Sequence, residues 1–216
     1  MVLKEIQERY SVRNFQDKPI PDEVINDILE AGRLAPSWIN TQPWHFIVVK
    51  DAKNKPLLSQ VAHGQPHVEN APVIILCCGD KSAWKQENFK KTLESRPGIT
   101  QERVELLLNN EAFNPALKGK EAIILRTLEE LTYAIAYMTL EAQSNGVGCC
   151  IVGGIANDLT GSAPEVHQLA RRTLNLPEDI SIMTMLVMGY PEETAEKPPK
   201  LRRSFDEIVS YEEFGG

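Results

Sequence analysis

The spacing of apolar side chains predicts two helices in the first part of the chain. Apolar residues recur at helical intervals in MVLKEIQERY, which predicts a short helix that ends near Glu8. A longer helix is predicted after Pro21, because an acidic first turn precedes an apolar stripe of valine, isoleucine and leucine. Pro36 prevents this helix from continuing.

Further along the chain, continuous apolar runs predict strands and wider apolar spacing predicts helices. The predicted strands are residues 45–50, 71–79, a short segment within 146–154, residues 180–191, and a strand-like stretch at 205–211. The predicted helices are residues 55–62, 82–94, 101–109, about Leu125 to Asn145, and a helix that follows the capping-box spacing of Ser162 and Glu165 and ends near Asn175. This irregular alternation predicts an α+β fold with helices packed on a mixed sheet.

Length and composition indicate an ordinary globular chain. We expect the 216 residues to form one domain, residues 1–216, because two full cores would be cramped at this length. The chain is 42% hydrophobic and has no unbroken apolar run near twenty residues, so we expect no membrane span. Its first residues lack the apolar centre of a signal peptide, which favours a cytoplasmic location. The net charge of −7 argues against sequence-independent nucleic-acid binding.

The cysteines and histidines do not form a metal or redox motif. Cys77 and Cys78 are adjacent, as are Cys149 and Cys150, and both pairs lie in apolar runs, which predicts small buried side chains in two strands. Two histidines lie four residues apart in HGQPH, but the intervening proline disrupts the turn and no third ligand is nearby. We therefore expect no metal site.

Two basic clusters lie at opposite ends of the chain. Arg9, Ser11 and Arg13 alternate along a short segment, so in an extended conformation all three side chains point the same way and can bind one anion, such as a phosphate. Lys200 and Arg202 belong to the run KLRR in the acidic chain's tail. A run of this kind is also typical of a solvated surface, so the anion hypothesis depends on the fold bringing the two clusters together.

Two further stretches suit a flat ligand. Residues 36–44 combine prolines, a serine, two amides and tryptophans, a composition suited to the edge of a heteroaromatic ring. Gly153 and Gly154 can let bare backbone approach a ligand closely, although a β-bulge or tight turn explains them equally well. The glycines of GVGCCIVGG do not fit the dinucleotide-binding fingerprint, because their spacing differs and the stretch enters a strand instead of a helix.

In order and spacing, the motifs RYSVRNF, APSWINTQPWHFIVV, APVIILCC, GVGCCIVGG, GYP and KLRRSFDEIV resemble those of the nitroreductase family of FMN-dependent oxidoreductases. The resemblance implies a nitroreductase-like α+β fold and an intertwined homodimer with two FMN sites at the subunit interface. It also implies that the C-terminal segment extends onto the partner. Residues 80–120 fall where the family varies most, so we interpret them as a variable insertion or lid.

The resemblance also implies roles for individual residues. Segment Arg9, Tyr10, Ser11 and Arg13 would bind the phosphate and ribityl end of FMN, and Lys200 and Arg202 would close this end from the tail. Backbone N–H groups of Gly153 and Gly154 would face flavin N5 and O4. Gln65 is the nearest counterpart of a ribityl-binding residue. The residues that would come from the other subunit to line the isoalloxazine are Pro36, Ser37, Trp38 and Asn40, with Gln42 close by.

Two positions depart from the family's usual form. Ser204 stands where a proline often follows the basic pair, which leaves the path of the tail open. Trp38 is bulky for its position, so its ring would either cover the flavin face or narrow the substrate entrance.

The function implied by the resemblance is hydride transfer from NADH or NADPH to FMN, followed by reduction of a small acceptor such as a nitroaromatic, a quinone or an enone. This ping-pong chemistry needs little acid–base machinery, which agrees with the lack of a Ser/His/Asp or paired-carboxylate constellation. The alternatives are reductive dehalogenation, oxidative cleavage of the flavin, a flavin-sequestering protein without turnover, and an α+β domain without flavin.

Overall fold

Four strands form one sheet, with helices on both of its faces. A computed structural model describes residues 1–157, 159, 161–194 and 197–215. The strands are β1 Trp44–Val49, β2 Val73–Asp80, β3 Gly148–Val152 and β4 Ile180–Gly189. The helices are α1 Lys4–Glu8, α2 Asp22–Arg33, α3 Lys55–Val61, α4 Pro66–Glu69, α5 Gln86–Glu94, α6 Gln101–Leu108, α7 Lys120–Ser144 and α8 Pro164–Thr173.

The strand order is β1-β2-β4-β3, and all three neighbouring pairs are antiparallel. The α+β class is confirmed, whereas the pairing of these strands is antiparallel instead of mixed. One parallel bridge joins Ser11 to Cys149, outside the named strands. The direction of a strand is set by the connections and partners around it, which apolar periodicity does not encode.

Two apolar cores cover the two faces of the sheet. One face packs on α2 and α7, through side chains that include Ile28, Leu131 and Met138. The other face packs on α3, α4 and α8. Each adjacent cysteine pair divides between the two cores, because successive side chains of a strand point to opposite faces.

All four cysteines are buried and free, as predicted. Burial raises the pKa of the Cys78 thiol to about 12 and that of Cys149 to about 11. These thiols therefore stay protonated near neutral pH and behave as small apolar side chains.

The 80–120 segment folds over its own small core. It contains α5, α6 and two 3₁₀ turns, and the buried side chains of Trp84, Phe89 and Leu107 form its centre. The two helices predicted here are confirmed within a few residues. Trp84 fastens the segment to α7, because its Nε1 donates a hydrogen bond to Thr127 Oγ1 at 2.9 Å.

Three local predictions are corrected. The long helix α7 begins at Lys120 instead of about Leu125, because its first two residues, Lys120 and Glu121, are charged and do not belong to the apolar stripe. The capping box before α8 is absent: Ala163 precedes the helix at φ 44°, and the Ser162 hydroxyl donates to Ile155 O at 3.5 Å. The stretch 205–211 forms turns instead of a strand. In the described ranges, no helix is both long and apolar enough to cross a bilayer.

Candidate functional site

The segment from Arg9 to Arg13 lies extended beside β3. Val12 N donates to Cys149 O at 3.0 Å, and Ser11 forms its parallel bridge to the same cysteine. Val12 is buried and fits against Gly148, where an added Cβ would lie 2.6 Å from the valine Cγ2. The buried valine fixes the segment, so the alternating side chains of Arg9, Ser11 and Arg13 face away from the sheet edge.

The basic tail reaches this segment. Lys200 Nζ donates to Ile6 O at 2.9 Å and also to Gln7 O, at the end of α1. Desolvation lowers the pKa of Lys200, and the nearby charges of Arg9 and Arg202 lower it further. Cations that disfavour one another's charge form a region where a bound anion is stabilising. The fold thus brings together the two basic clusters that lie at opposite ends of the sequence.

Arg9 and Gly153 line one cavity of about 680 Å³. The other walls are apolar and come from α1, α7, β3 and β4. Arg9 Nε is buried and makes no hydrogen bond to any of the described residues. A Cβ added to Gly153 would meet nothing within 4 Å, so open space adjoins its backbone. A buried cationic donor beside a bare backbone and apolar walls fits a ligand with an anionic end and a flat ring.

Gln65 lies next to Gly154, and His67 lies near Arg13. Gln65 Nε2 donates to Ala62 O at 3.0 Å and to Gly154 O at 3.3 Å, so the predicted ribityl-binding residue lies against the predicted glycine. His67 has no role in our sequence analysis beyond the rejected metal pair. Its Nε2 is buried without a hydrogen-bond partner in the described part of the chain. Desolvation lowers the pKa of His67, and the charge of Arg13 lowers it further, so the imidazole is neutral at pH 7.

No local pattern in the sequence predicts that His67 lies near Arg13. Only the approach of α4 to the arginine segment brings them together. Tyr10 lies apart from the other predicted residues of this segment: its ring faces Lys197 Nζ at 5.9 Å and lines a separate groove with Val12. Within the described residues, no group of three side chains could hold a metal ion.

The predicted ring-binding loop, residues 36–42, is strained and tightly hydrogen-bonded. Ile39, Asn40 and Gln42 all have positive φ, at 53°, 62° and 46°. This conformation costs a non-glycine residue roughly 1–2 kcal/mol. Ser37 Oγ accepts a hydrogen bond from Gln42 N at 3.0 Å, and Gln42 Nε2 donates to Asn40 Oδ1 at 3.2 Å. The loop therefore holds its two amide side chains in fixed, exposed positions, and backbone strain of this kind is concentrated at functional sites.

Trp38 is held by α7 and by the 80–120 segment. Its backbone N–H donates to Glu130 Oε2 at 2.6 Å. Its ring stacks on Phe113, with 6.3 Å between the ring centroids, and the Arg126 guanidinium lies 4.8 Å from the centroid of the Trp38 ring. Burial raises the pKa of Glu130, while the hydrogen bond from Trp38 opposes that shift.

The loop contacts different residues of α7 from those that line the cavity. Arg126 and Glu130 contact the loop, whereas residues from Leu128 to Leu140 line the cavity with Arg9. Among the described contacts, none joins residues 36–42 to the arginine segment. Within one chain, the loop and the cavity with Arg9 are therefore two separate groups of predicted site residues.

Known proteins resemble this chain in sequence and in fold. A sequence profile described as the Nitroreductase family matches residues 6–190. NADH dehydrogenase of Thermus thermophilus is 30% identical over 205 residues, which cover 94% of this chain and 92% of that protein. FMN reductase (NAD(P)H) of Bacillus subtilis is 27% identical, with 98% of this chain and 73% of that protein covered.

Two other matches extend the comparison. Iodotyrosine deiodinase of Nematostella vectensis is 25% identical, with 95% of this chain and 73% of that protein covered. A solved nitroreductase-like protein from Streptococcus mutans superposes with a TM-score of 0.79 and 22% identity, over 97% of each chain. The profile spans most of the chain, from α1 to the end of β4. The chain therefore belongs to the nitroreductase family.

Proposed function

We propose that the protein is an FMN-dependent oxidoreductase that accepts hydride from NADH or NADPH and reduces a small acceptor such as a nitroaromatic or a quinone. The observation that carries the proposal is the cavity that Arg9 and Gly153 line together: Arg9 has a buried Nε without a hydrogen-bond partner among the described residues, and open space adjoins the backbone of Gly153. The match to a relative named FMN reductase supports the choice of flavin. When bound, FMN supplies the N5 atom that takes the hydride.

Each part of the proposed site has a distinct task. Arg9, Ser11 and Arg13 bind the phosphate, with Lys200 and Arg202 adding positive charge from the tail. Gln65 is held against Gly154 by its Nε2 group and offers its amide oxygen to the ribityl chain. The N–H groups of Gly153 and Gly154 donate to the edge of the ring, where negative charge develops on reduction. These donors are backbone groups, so they act at any pH at which the protein is folded.

We further propose that the site is completed in a homodimer. The side of α7 opposite the sheet exposes apolar side chains, among them Leu125 at 67% and Tyr137 at 44%. The tail exposes more, including Leu201 at 82% and Phe205 at 62%. Contiguous exposed apolar surface of this kind is rare in monomers. A partner that covers α7 and receives the tail would also bring its own residues 36–42 to the cavity.

The test of the proposed function starts from colour. The purified protein should be yellow, and acid should release FMN instead of FAD. Anaerobic NADH or NADPH should bleach the bound flavin, and a quinone or nitroaromatic should restore it. A colourless protein that also fails to bind added FMN would exclude a flavin function. A yellow protein that neither nucleotide bleaches would instead be a flavin-sequestering protein.

We expect Arg13→Ala to weaken FMN binding by about 1.5–3 kcal/mol, the range of a hydrogen bond to a charged group. The side chain is exposed, so folding should be unaffected. Titration of the apo-protein with FMN measures the change. Arg172→Ala is the matched control, because this exposed arginine lies on α8 and is not one of the proposed site residues. Equal FMN affinity in Arg13→Ala and wild type would rule out this phosphate assignment.

Reductive dehalogenation is the second candidate, favoured by the match to iodotyrosine deiodinase. It would use the same reduced flavin and the same cavity, with the halogen leaving as halide. A halophenol and a nitroaromatic offered in separate anaerobic reactions to the reduced protein distinguish the two candidates. Faster reoxidation by the halophenol, with stoichiometric halide release, would favour dehalogenation.

A further inference from the structure

We propose that Glu130 is a positioning residue that holds the strained loop 36–42 in its flavin-facing shape, and that Trp38 couples this loop to the 80–120 segment. The inference rests on the proposed function and deepens it. It concerns a carboxylate and an aromatic stack that our sequence analysis did not single out. Glu130 acts through the backbone of Trp38 and need not touch FMN itself.

Glu130 is an unusual residue for its place on α7. It is only 1% exposed, although its neighbour Glu129 on the same helix is exposed. A buried carboxylate is costly unless hydrogen bonds and opposite charge compensate for its lost hydration. Glu130 has both: Oε2 accepts the 2.6 Å hydrogen bond from Trp38 N, and Oε1 lies 4.0 Å from Arg126 Nη1. The buried acceptor therefore fixes the start of the loop against α7.

The loop needs such an anchor because its backbone is strained. Ile39 is β-branched and has a φ of 53°, a conformation that β-branched residues very rarely adopt. The hydrogen bonds inside the loop maintain its curl, but they do not attach it to the rest of the protein. Glu130 makes that attachment at the residue immediately before Ile39. Strained conformations persist only where the surroundings hold them in place.

The aromatic stack joins this anchor to the 80–120 segment. The Trp38 ring contacts both Arg126 and Phe113, and its plane is within 18° of the phenylalanine ring. Trp38 Nε1 also donates to Phe113 O at 3.4 Å. On the same segment, the Arg103 guanidinium lies 5.8 Å from the Phe113 ring centroid. Any displacement of this part of the segment must therefore move Trp38 or break the stack.

This arrangement gives Trp38 a defined task. Its ring is engaged by Arg126 and Phe113, so it transmits the position of the 80–120 segment to the neighbouring loop residues. Asn40 and Gln42 are the exposed amides of that loop. Changes in the segment would then alter the fit of these amides to the flavin without any direct contact.

The experiment compares two substitutions at Glu130 in the full-length protein. Glu130→Met keeps a similar length but removes the acceptor, whereas Glu130→Gln keeps an oxygen that can accept the Trp38 N–H. In the absence of FMN, we expect Glu130→Met to speed hydrogen exchange of the amides in residues 37–42 by roughly tenfold, the effect of losing one buried acceptor. We expect Glu130→Gln to restore most of the protection, and Glu121→Gln, the matched control at an exposed glutamate in the first turn of α7, to match wild type.

FMN titration provides the second readout. Glu130→Met should bind FMN roughly tenfold more weakly than wild type, for the same reason. Unchanged exchange in folded Glu130→Met would overturn the inference, as would equally fast exchange in the Gln and Met variants. If Glu130→Met does not fold, Phe113→Leu tests the coupling between the loop and the 80–120 segment. Removal of the aromatic stack should also speed hydrogen exchange in residues 37–42. Unchanged exchange in these residues would overturn the coupling. If the wild-type protein fails to bind FMN, the proposed function is refuted. The hydrogen-exchange comparison, which is made without FMN, still tests whether Glu130 holds the loop.

Discussion

Replacing Ala136 by glutamate is expected to yield a monomer that no longer retains FMN. Ala136 is exposed near the middle of α7 and lines the same cavity as Arg9 and Gly153. In the proposed dimer, a carboxylate at this position would be buried among apolar groups without a partner. An unpaired buried charge costs about 3–5 kcal/mol, or a loss in association of roughly 10²- to 4 × 10³-fold. Sedimentation velocity and flavin absorbance of the same sample measure the two effects.

The matched control for this substitution is Lys91→Glu. It introduces a glutamate on the exposed side of α5, outside the residues that line the cavity. This variant should remain a yellow dimer. Should Ala136→Glu stay dimeric and keep its FMN, α7 would not be the interface. A monomeric variant with unchanged FMN binding would instead show that one chain supplies the whole site.

Gly153→Val is expected to abolish tight FMN binding while leaving the fold intact. The glycine is not in the positive-φ region, and an added Cβ would meet no atom within 4 Å. The apo-protein should therefore unfold at the wild-type temperature. In the proposed complex the valine would occupy the space of the flavin edge. Overpacking of this size costs about 3 kcal/mol, which corresponds to roughly 100-fold weaker binding. FMN titration and thermal unfolding of the apo-protein test both halves of the prediction.

Gly148 provides the contrasting glycine. A Cβ there would lie 2.6 Å from Val12 and 2.9 Å from Pro191, so Gly148→Ala should lower stability by about 1–3 kcal/mol. The two variants separate a glycine required by the fold from one that leaves room for a ligand. Wild-type FMN affinity in Gly153→Val would mean that the flavin edge does not approach this backbone.

Most secondary structure could be predicted from the sequence because it depends on local patterns. The helix over residues 22–33 has a clear apolar stripe and charged ends, and the apolar runs in β2 and β4 are too continuous for exposed strands. The adjacent cysteines could be assigned to the interior for the same reason. The corrected elements lack such a pattern. The first two residues of α7 are charged, and the 205–211 stretch has β-forming residues but pairs with no strand among the described residues.

The residues of the candidate site likewise include some that local sequence patterns indicate and others that only the tertiary structure reveals. The alternation of Arg9, Ser11 and Arg13 is local, and the structure places the backbone of this segment beside β3. The family's ordered motifs identified the loop from Pro36 to Gln42. By contrast, the proximity of His67 to Arg13 depends on the packing of a distant helix. Glu130 was hidden because one acidic residue on an otherwise amphipathic helix does not reveal whether it is buried.

By itself the sequence determined the α+β class, the family, the burial of the cysteines and the chemical character of the arginine segment and of the loop 36–42. These features follow from side-chain periodicity and from short motifs, which act over a few residues. Tertiary structure alone decided the antiparallel pairing, the contact between Lys200 and the end of α1, and the anchoring of Trp38 on Glu130. Each of these joins residues far apart in the chain, and their distances are set by how the apolar faces of the sheet and helices pack together.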